Sequence, residues 1–147
     1  MAQLQVTNFA DSILASGITA GSTSITVTTG TGTRFPTLGA GDWFYAVLVD
    51  TSANREIVKV TAKAADTFTV TRAQEGTTAL AFAVGSVFSL RLTVQAFQDY
   101  VQQLSSIYGV PTQTGNAGKW LYTNGTVSSW QSAPMPAILQ HQQFGGL

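Results

Sequence analysis

Apolar and polar positions along residues 1–92 follow a period of two, in short runs broken by glycine. Ser24-Ile25-Thr26-Val27-Thr28 alternates strictly and puts Ile25 and Val27 on one face. Trp43 to Val49 is continuously apolar, the pattern of a strand covered on both sides. Glu56 to Thr61 and Thr67 to Thr71 read as two further strands, with Phe68 and Val70 facing inward and Lys63-Ala64-Ala65-Asp66 as a tight connection. Val87 to Leu92 closes the set, with Phe88, Leu90 and Leu92 on one side. Gly30, Gly32, Gly39, Gly41, Gly76 and Gly85 all fall between these runs, as turn residues do. Short strands at this spacing predict a small barrel or sandwich. Phe9 to Leu14 is expected as a short helical turn or an arm.

The period then changes. Val94, Phe97, Val101, Leu104 and Tyr108 are spaced 3, 4, 3, 4, the a and d positions of two heptads. Gln95, Gln98, Gln102 and Gln103 flank them, Thr93 offers a cap, and Gly109 and Pro111 mark the end. Two heptads are too short for a stable isolated helix in water. Two readings stay open: a helix laid on its own β-unit, or a short stalk where several chains meet.

Beyond the linker Thr112 to Gly118, Lys119-Trp120-Leu121-Tyr122 and Val127-Ser128-Ser129-Trp130 flank Thr123-Asn124-Gly125-Thr126. Asn-Gly between such runs predicts a β-hairpin. A lone hairpin does not stand by itself in water, so Trp120, Tyr122 and Trp130 need a surface to bury against. The end, Pro134 to Leu147, reads as a docking peptide or loose tail, with Phe144 as an aromatic anchor. The predicted class is mainly β: an N-terminal barrel or sandwich, a short heptad helix, a C-terminal hairpin and an extended tail. The boundaries are 1–92, 93–109 and 110–147.

Charge sharpens this picture. Only 10% of residues are charged, seven basic against seven acidic, where soluble proteins have roughly 25%. From Val101 to Leu147 the one ionised residue is Lys119. A tail of glycine, small polar residues, glutamine and aromatics implies cover by other protein. Neutrality removes the electrostatic case for nucleic acid and for an anionic membrane surface. No apolar run approaches the roughly 20 residues of a membrane span, and the N-terminus lacks a signal-peptide pattern. The chain has no cysteine, which excludes disulfides, thiolate metal sites and a cysteine nucleophile.

Catalytic signals are thin. His141 is the single histidine and sits among glutamines, without the acid and nucleophile that a triad requires. Asp11, Asp42, Asp50, Glu56, Asp66, Glu75 and Asp99 are scattered. Asp50 and Asp66 read as turn residues and Glu56 as an exposed strand end. Gly30-Thr31-Gly32-Thr33-Arg34 lacks the ending and the following helix of a phosphate loop, and reads as a β-turn. Trp43, Trp120 and Trp130 fit core or interface anchors better than sugar platforms. No enzyme, cofactor or metal is expected.

Several stretches together resemble a module of tailed-bacteriophage virion proteins. They are Ile18 to Val27, Arg34-Phe35-Pro36, Glu56 to Thr61, Val70-Thr71-Arg72-Ala73-Gln74-Glu75-Gly76-Thr77-Thr78-Ala79, Gly85 and Arg91-Leu92-Thr93. The module is typical near the N-terminus of tail fibres, collar or head fibres and adaptor proteins. Gly115 to Trp130 resembles a glycine-rich hairpin element of fibre shafts. The resemblance implies N-terminal attachment to the virion and trimerisation along the stalk, with Val94, Phe97, Val101, Leu104 and Tyr108 as the seam. It implies partner binding through Trp120, Tyr122, Trp130 and Phe144. At 147 residues there is no room for a long shaft, so a short adaptor engaging a longer fibre, or a small appendage, is expected. A capsid-bound head fibre or decoration protein and a host-glycan-binding module are the alternatives. The expected partners are two further copies and other virion proteins (tail, portal-proximal or fibre), without nucleic acid or membrane insertion. The expected location is the virion, assembled in the host cytoplasm. Arg72 is expected to pair with Glu75 or cap carbonyls in a locally held turn, and Phe35 to plug the mouth of the β-unit.

Overall fold

A computed structural model describes residues 2–107, 114–126 and 128–132. Two compact units divide it, Met1–Gln103 and Leu104–Leu147. The first is a curled six-stranded sheet. Its strands are β1 (Asp11–Ile13), β2 (Ser24–Thr26), β3 (Phe44–Val49), β4 (Arg55–Ala64), β5 (Thr67–Gln74) and β6 (Val87–Leu90). Their order across the sheet is β1-β6-β3-β4-β5-β2, antiparallel throughout. The two edges meet at a Leu14–Val27 bridge. There the Ala15 N–H donates to Thr26 O at 2.9 Å and the Thr28 N–H to Ile13 O at 3.0 Å. Curling thus hides backbone groups that a flat sheet would leave open at its edges.

The predicted alternation places the core. Ile25, Phe44, Ala46, Leu48, Val58, Val60, Phe68 and Phe88 are fully buried, at 0% exposure. Phe35 enters this core from the loop after a short 3-10 turn, Thr31–Arg34. Its ring centroid lies 4.9 Å from that of Phe68 and 5.3 Å from that of Phe88, so the plug expected at Arg34-Phe35-Pro36 exists. The loop is held from outside as well: the Lys63 ammonium donates to Phe35 O at 2.9 Å and to Gly32 O at 3.1 Å. Gly32 has to lack a side chain, because a Cβ there would run into the carbonyl oxygen of Ala65.

Three expectations change. Phe9 to Leu14 is not helical; Asp11–Ile13 forms β1, because pairing with β6 satisfies backbone groups that an arm would leave to water. Leu92 lies beyond β6 and is 69% exposed, whereas Phe88 and Leu90 pack in the core.

Glu56 is the third. It is no exposed strand end but is fully buried, at 0% exposure, in the inward phase shared with Val58 and Val60. Its carboxylate takes two 2.7 Å hydrogen bonds from the Arg72 Nε and NH2 groups. It also accepts the Ala73 and Leu80 N–H groups at 2.9 and 3.0 Å. Arg72 in turn donates to the carbonyls of Thr19, Ser22 and Leu80. A β-bulge aims the guanidinium there: the β4–β5 register slips between Ile57 and Lys59, and Ala73 takes a left-handed φ of 55°. The carbonyl capping was anticipated; the partner is Glu56 rather than Glu75. Burial raises the Glu56 pKa, but the Arg72, Ala73 and Leu80 hydrogen bonds outweigh it and hold the carboxyl below its ordinary value. Among the described residues no buried side-chain polar atom lacks a partner.

The second unit contains a hairpin, β7 (Lys119–Thr123) and β8 (Ser128–Ser132), antiparallel with Leu121 opposite Trp130. Gly125 takes φ 88° in its loop, the conformation for which the Asn-Gly pair is suited.

Candidate functional site

The helix α1 (Val94–Ile107) starts where predicted. Thr93 caps it, its Oγ1 accepting the Ala96 N–H at 3.1 Å and its carbonyl the Phe97 N–H at 3.0 Å. One face is bolted to the outer surface of the sheet. Ala96, at 2% exposure, packs with Leu4 and Tyr45, and Trp43 and Ile57 border them. Asp99 lies one turn on. Its carboxylate accepts the Trp43 Nε1–H at 3.2 Å, the Tyr45 hydroxyl at 3.1 Å and the Gln95 amide at 2.7 Å. Gln103 accepts the Leu4 N–H at 3.3 Å. Burial first, then the Asp99 charge, pushes the Tyr45 hydroxyl up to about 12, so it stays a hydrogen-bond donor across the neutral range. At the helix start, Glu75 Oε2 accepts the Gln95 N–H at 3.2 Å.

Ala96, Asp99 and Gln103 occupy spacings 3 and 4, so the bolted face is distinct from the heptad face. Of the heptad residues, Val94 is 71%, Phe97 57% and Val101 44% exposed, and Leu104 is half-buried. Tyr100 adds a further aromatic, 49% exposed. The helix therefore lies on its own β-unit and still turns most of its apolar stripe outward. Tyr108 and Phe144 lie outside the described residues, as do His141 and the rest of 133–147.

On the hairpin, taken by itself, Trp120 and Tyr122 share one face of β7 and are 69% and 57% exposed. Leu121, on the other face, is 50% exposed, and Trp130 is half-buried. Asn124 is engaged in its own turn, its Oδ1 accepting the Thr126 N–H at 3.0 Å.

A cleft of about 470 Å³, not expected from the sequence, opens on the outer sheet surface, lined by Val47, Val49, Arg55, Ile57, Thr77 and Arg91. Its floor belongs to β3 and β4. The signal was present: Val47 and Val49 fall on the outward phase of a run that looked apolar on both faces. Trp43 to Val49 is covered on its second face at Tyr45, by α1, while Val47 and Val49 are only half-buried.

Among the described residues, no cluster of three or more His, Cys, Asp or Glu side chains could hold a metal ion. The acids are absorbed in structure. Asp66 accepts the Gly30 and Gly32 N–H groups at 2.9 and 2.8 Å, and Asp50 closes the β3–β4 turn on Ser52 and Asn54. Backbone N–H donors to Asp66, and Asn54 with Ser52 for Asp50, hold both carboxyls below the ordinary range. No described helix is long and apolar enough to cross a membrane. No family model matches the chain, and no curated protein is significantly similar to it.

Proposed function

We propose that this chain is a non-enzymatic structural protein of a bacteriophage virion: a homotrimeric tail-fibre or collar-fibre adaptor linking the particle to a distal fibre. The observation that carries the reading is the α1 stripe. A helix already anchored through Ala96, Asp99 and Gln103 has no structural need of Val94 and Phe97 on its open side, yet both stand 57% exposed or more. Each such side chain contributes about 1.5–3 kcal/mol when fully desolvated. Three copies meeting along this stripe bury it without further ordering of the helix, since the sheet has already fixed its position. The exposed Trp120 and Tyr122 then supply an aromatic surface for the distal partner. The resemblance of Val70 to Ala79 to virion attachment modules gives the biological setting.

Light scattering on the purified full chain tests this. The expected mass is that of three chains, independent of concentration over the micromolar range. Val94→Ser combined with Phe97→Ser is expected to reduce it to one chain, with the far-ultraviolet circular dichroism of the β-unit unchanged. A wild-type monomer overturns the reading.

A further inference from the structure

Phe9 is the most conspicuous surface residue of the β-unit. It stands 89% exposed, more than any other large apolar side chain described. Its backbone is left-handed, φ 58°, a conformation that a bulky residue adopts only against steric resistance. The turn is pinned: the Asp11 N–H donates to Phe9 O at 3.1 Å, and the Leu90 N–H to Ala10 O at 2.9 Å. A glycine or asparagine would satisfy this backbone without strain. Strain held in place to present an aromatic ring to solvent points to a use for that ring.

The cleft over β3 and β4 offers the complementary surface. Val47, Val49 and Ile57 give it an apolar floor, and Arg55 and Arg91 border it. Among the described residues the ion pairs are Arg34–Asp11 and Arg72–Glu56, so neither cleft arginine is spent on a carboxylate. Arg91 Nε is held by Ser89 Oγ at 3.1 Å. An apolar floor with two arginines in the same lining suits an aromatic ring, whose faces attract cations.

The two features lie on opposite sides of β6. Phe9 leads into β1, β6's neighbour on one side; the floor belongs to β3 and β4 on the other. A knob beside the edge strand β1 and a hole over the central strands β3 and β4 are different patches, so one copy's knob in the next copy's hole makes a head-to-tail contact, the kind that closes into a ring when the rotation allows.

We propose that Phe9 of one copy inserts into the Val47–Val49–Ile57 cleft of the next copy, alongside Arg55 and Arg91, as a second intersubunit contact outside the helix seam. The proposal rests on the homotrimer reading and adds to it a specific anchor on the β-units.

The absence of cysteine makes the contact directly readable. Two full-length variants, Phe9→Cys and Val49→Cys, are purified separately, dissociated, mixed and reassembled under mild oxidation. The mixed disulfide dimer is expected to form at least about tenfold faster than in the control mixture of Phe9→Cys with Thr61→Cys, whose cysteine lies on β4 outside the cleft. Phe9→Gly separates assembly from folding. It relieves the left-handed strain, so the β-unit melts at the same or a higher temperature, while the trimer dissociates at about tenfold higher protein concentration. A purely structural Phe9 would move neither the dissociation nor the cross-link. If the wild type is a trimer but the cleft pair cross-links no faster than the control, the Phe9 contact is overturned and the helix seam stands. An unchanged dissociation of Phe9→Gly overturns it likewise. A monomeric wild type overturns both.

Discussion

In the β-unit, Glu56, Val58 and Val60 on β4 and Phe44, Ala46 and Leu48 on β3 are all at 0% exposure, and the one polar side chain among them, Glu56, has its partners. On the hairpin all five residues of β7 are exposed, Trp120 and Tyr122 among them. The two regions share local rules: alternating strands, turn residues with positive φ, antiparallel pairing. They differ in what lies on the second face. Curling gives the six-stranded sheet an interior of its own, and two strands cannot curl around anything. The β-unit is therefore a structure in its own right, while the hairpin leaves Trp120 and Tyr122 exposed. Helix α1 shows both behaviours at once, with its Ala96–Asp99 face finished and its Val94–Phe97 face open.

The largest way to break this contrast is Arg72→Met. It leaves the Glu56 carboxylate buried among apolar side chains without its counter-charge, and frees the carbonyls of Thr19, Ser22 and Leu80. The expected cost is about 3–5 kcal/mol, read as a lowered urea midpoint of the β-unit. A change below about 1 kcal/mol, the level of an exposed pair, would show that the pair is solvated.

Acid acts on the same feature less abruptly. The folded Glu56 pKa lies below the ordinary 4.5, so its contribution is complete above that value and is lost as the pH falls through the folded pKa. Asp66 and Asp50 act in the same direction. The urea midpoint should hold level near neutrality and drop once the pH passes below 4.5. Glu56→Gln should be less stable than the wild type at pH 7, with the gap narrowing in acid. A gap that widens in acid contradicts the assignment.

The smallest effect belongs to the hairpin. Trp120→Ser should leave the unfolding free energy of the β-unit, from urea titration, within about 0.5 kcal/mol of the wild type, as for surface substitutions generally. A larger loss would mean that Trp120 supports the fold rather than a partner.

Much of this was legible along the chain. Alternation located β2 to β6, the Thr93 cap and heptad run located α1, and Asn124-Gly125 located the hairpin. Phe35 was recognisable as a plug because an aromatic before proline in a glycine-rich loop has few other uses. Glu56 was misjudged from its neighbour Arg55 and its place at the end of a run. Counting the phase back from Val60 and Val58 puts it indoors, but the guanidinium that makes this tolerable arrives from β5 through a bulge that no local pattern announces. Phe9 and the arginine-bordered cleft were missed for a related reason. Exposure and left-handed backbone belong to the folded chain, and Arg55 and Arg91 become neighbours of one cleft only once β3, β4 and β6 lie side by side.

By itself, then, the amino-acid order determined most of the strands, the helix and the hairpin and the apolar side of each strand it located, β1 excepted. Those depend on nearest neighbours and on the periods of the backbone. Only the tertiary structure decided which apolar side is used up within the chain. It turned Ala96 inward and Phe97 outward on one helix, buried Glu56 with Arg72, and left Phe9 strained in the open. Burial is a property of what the other strands bring to a position, and no single segment carries that information.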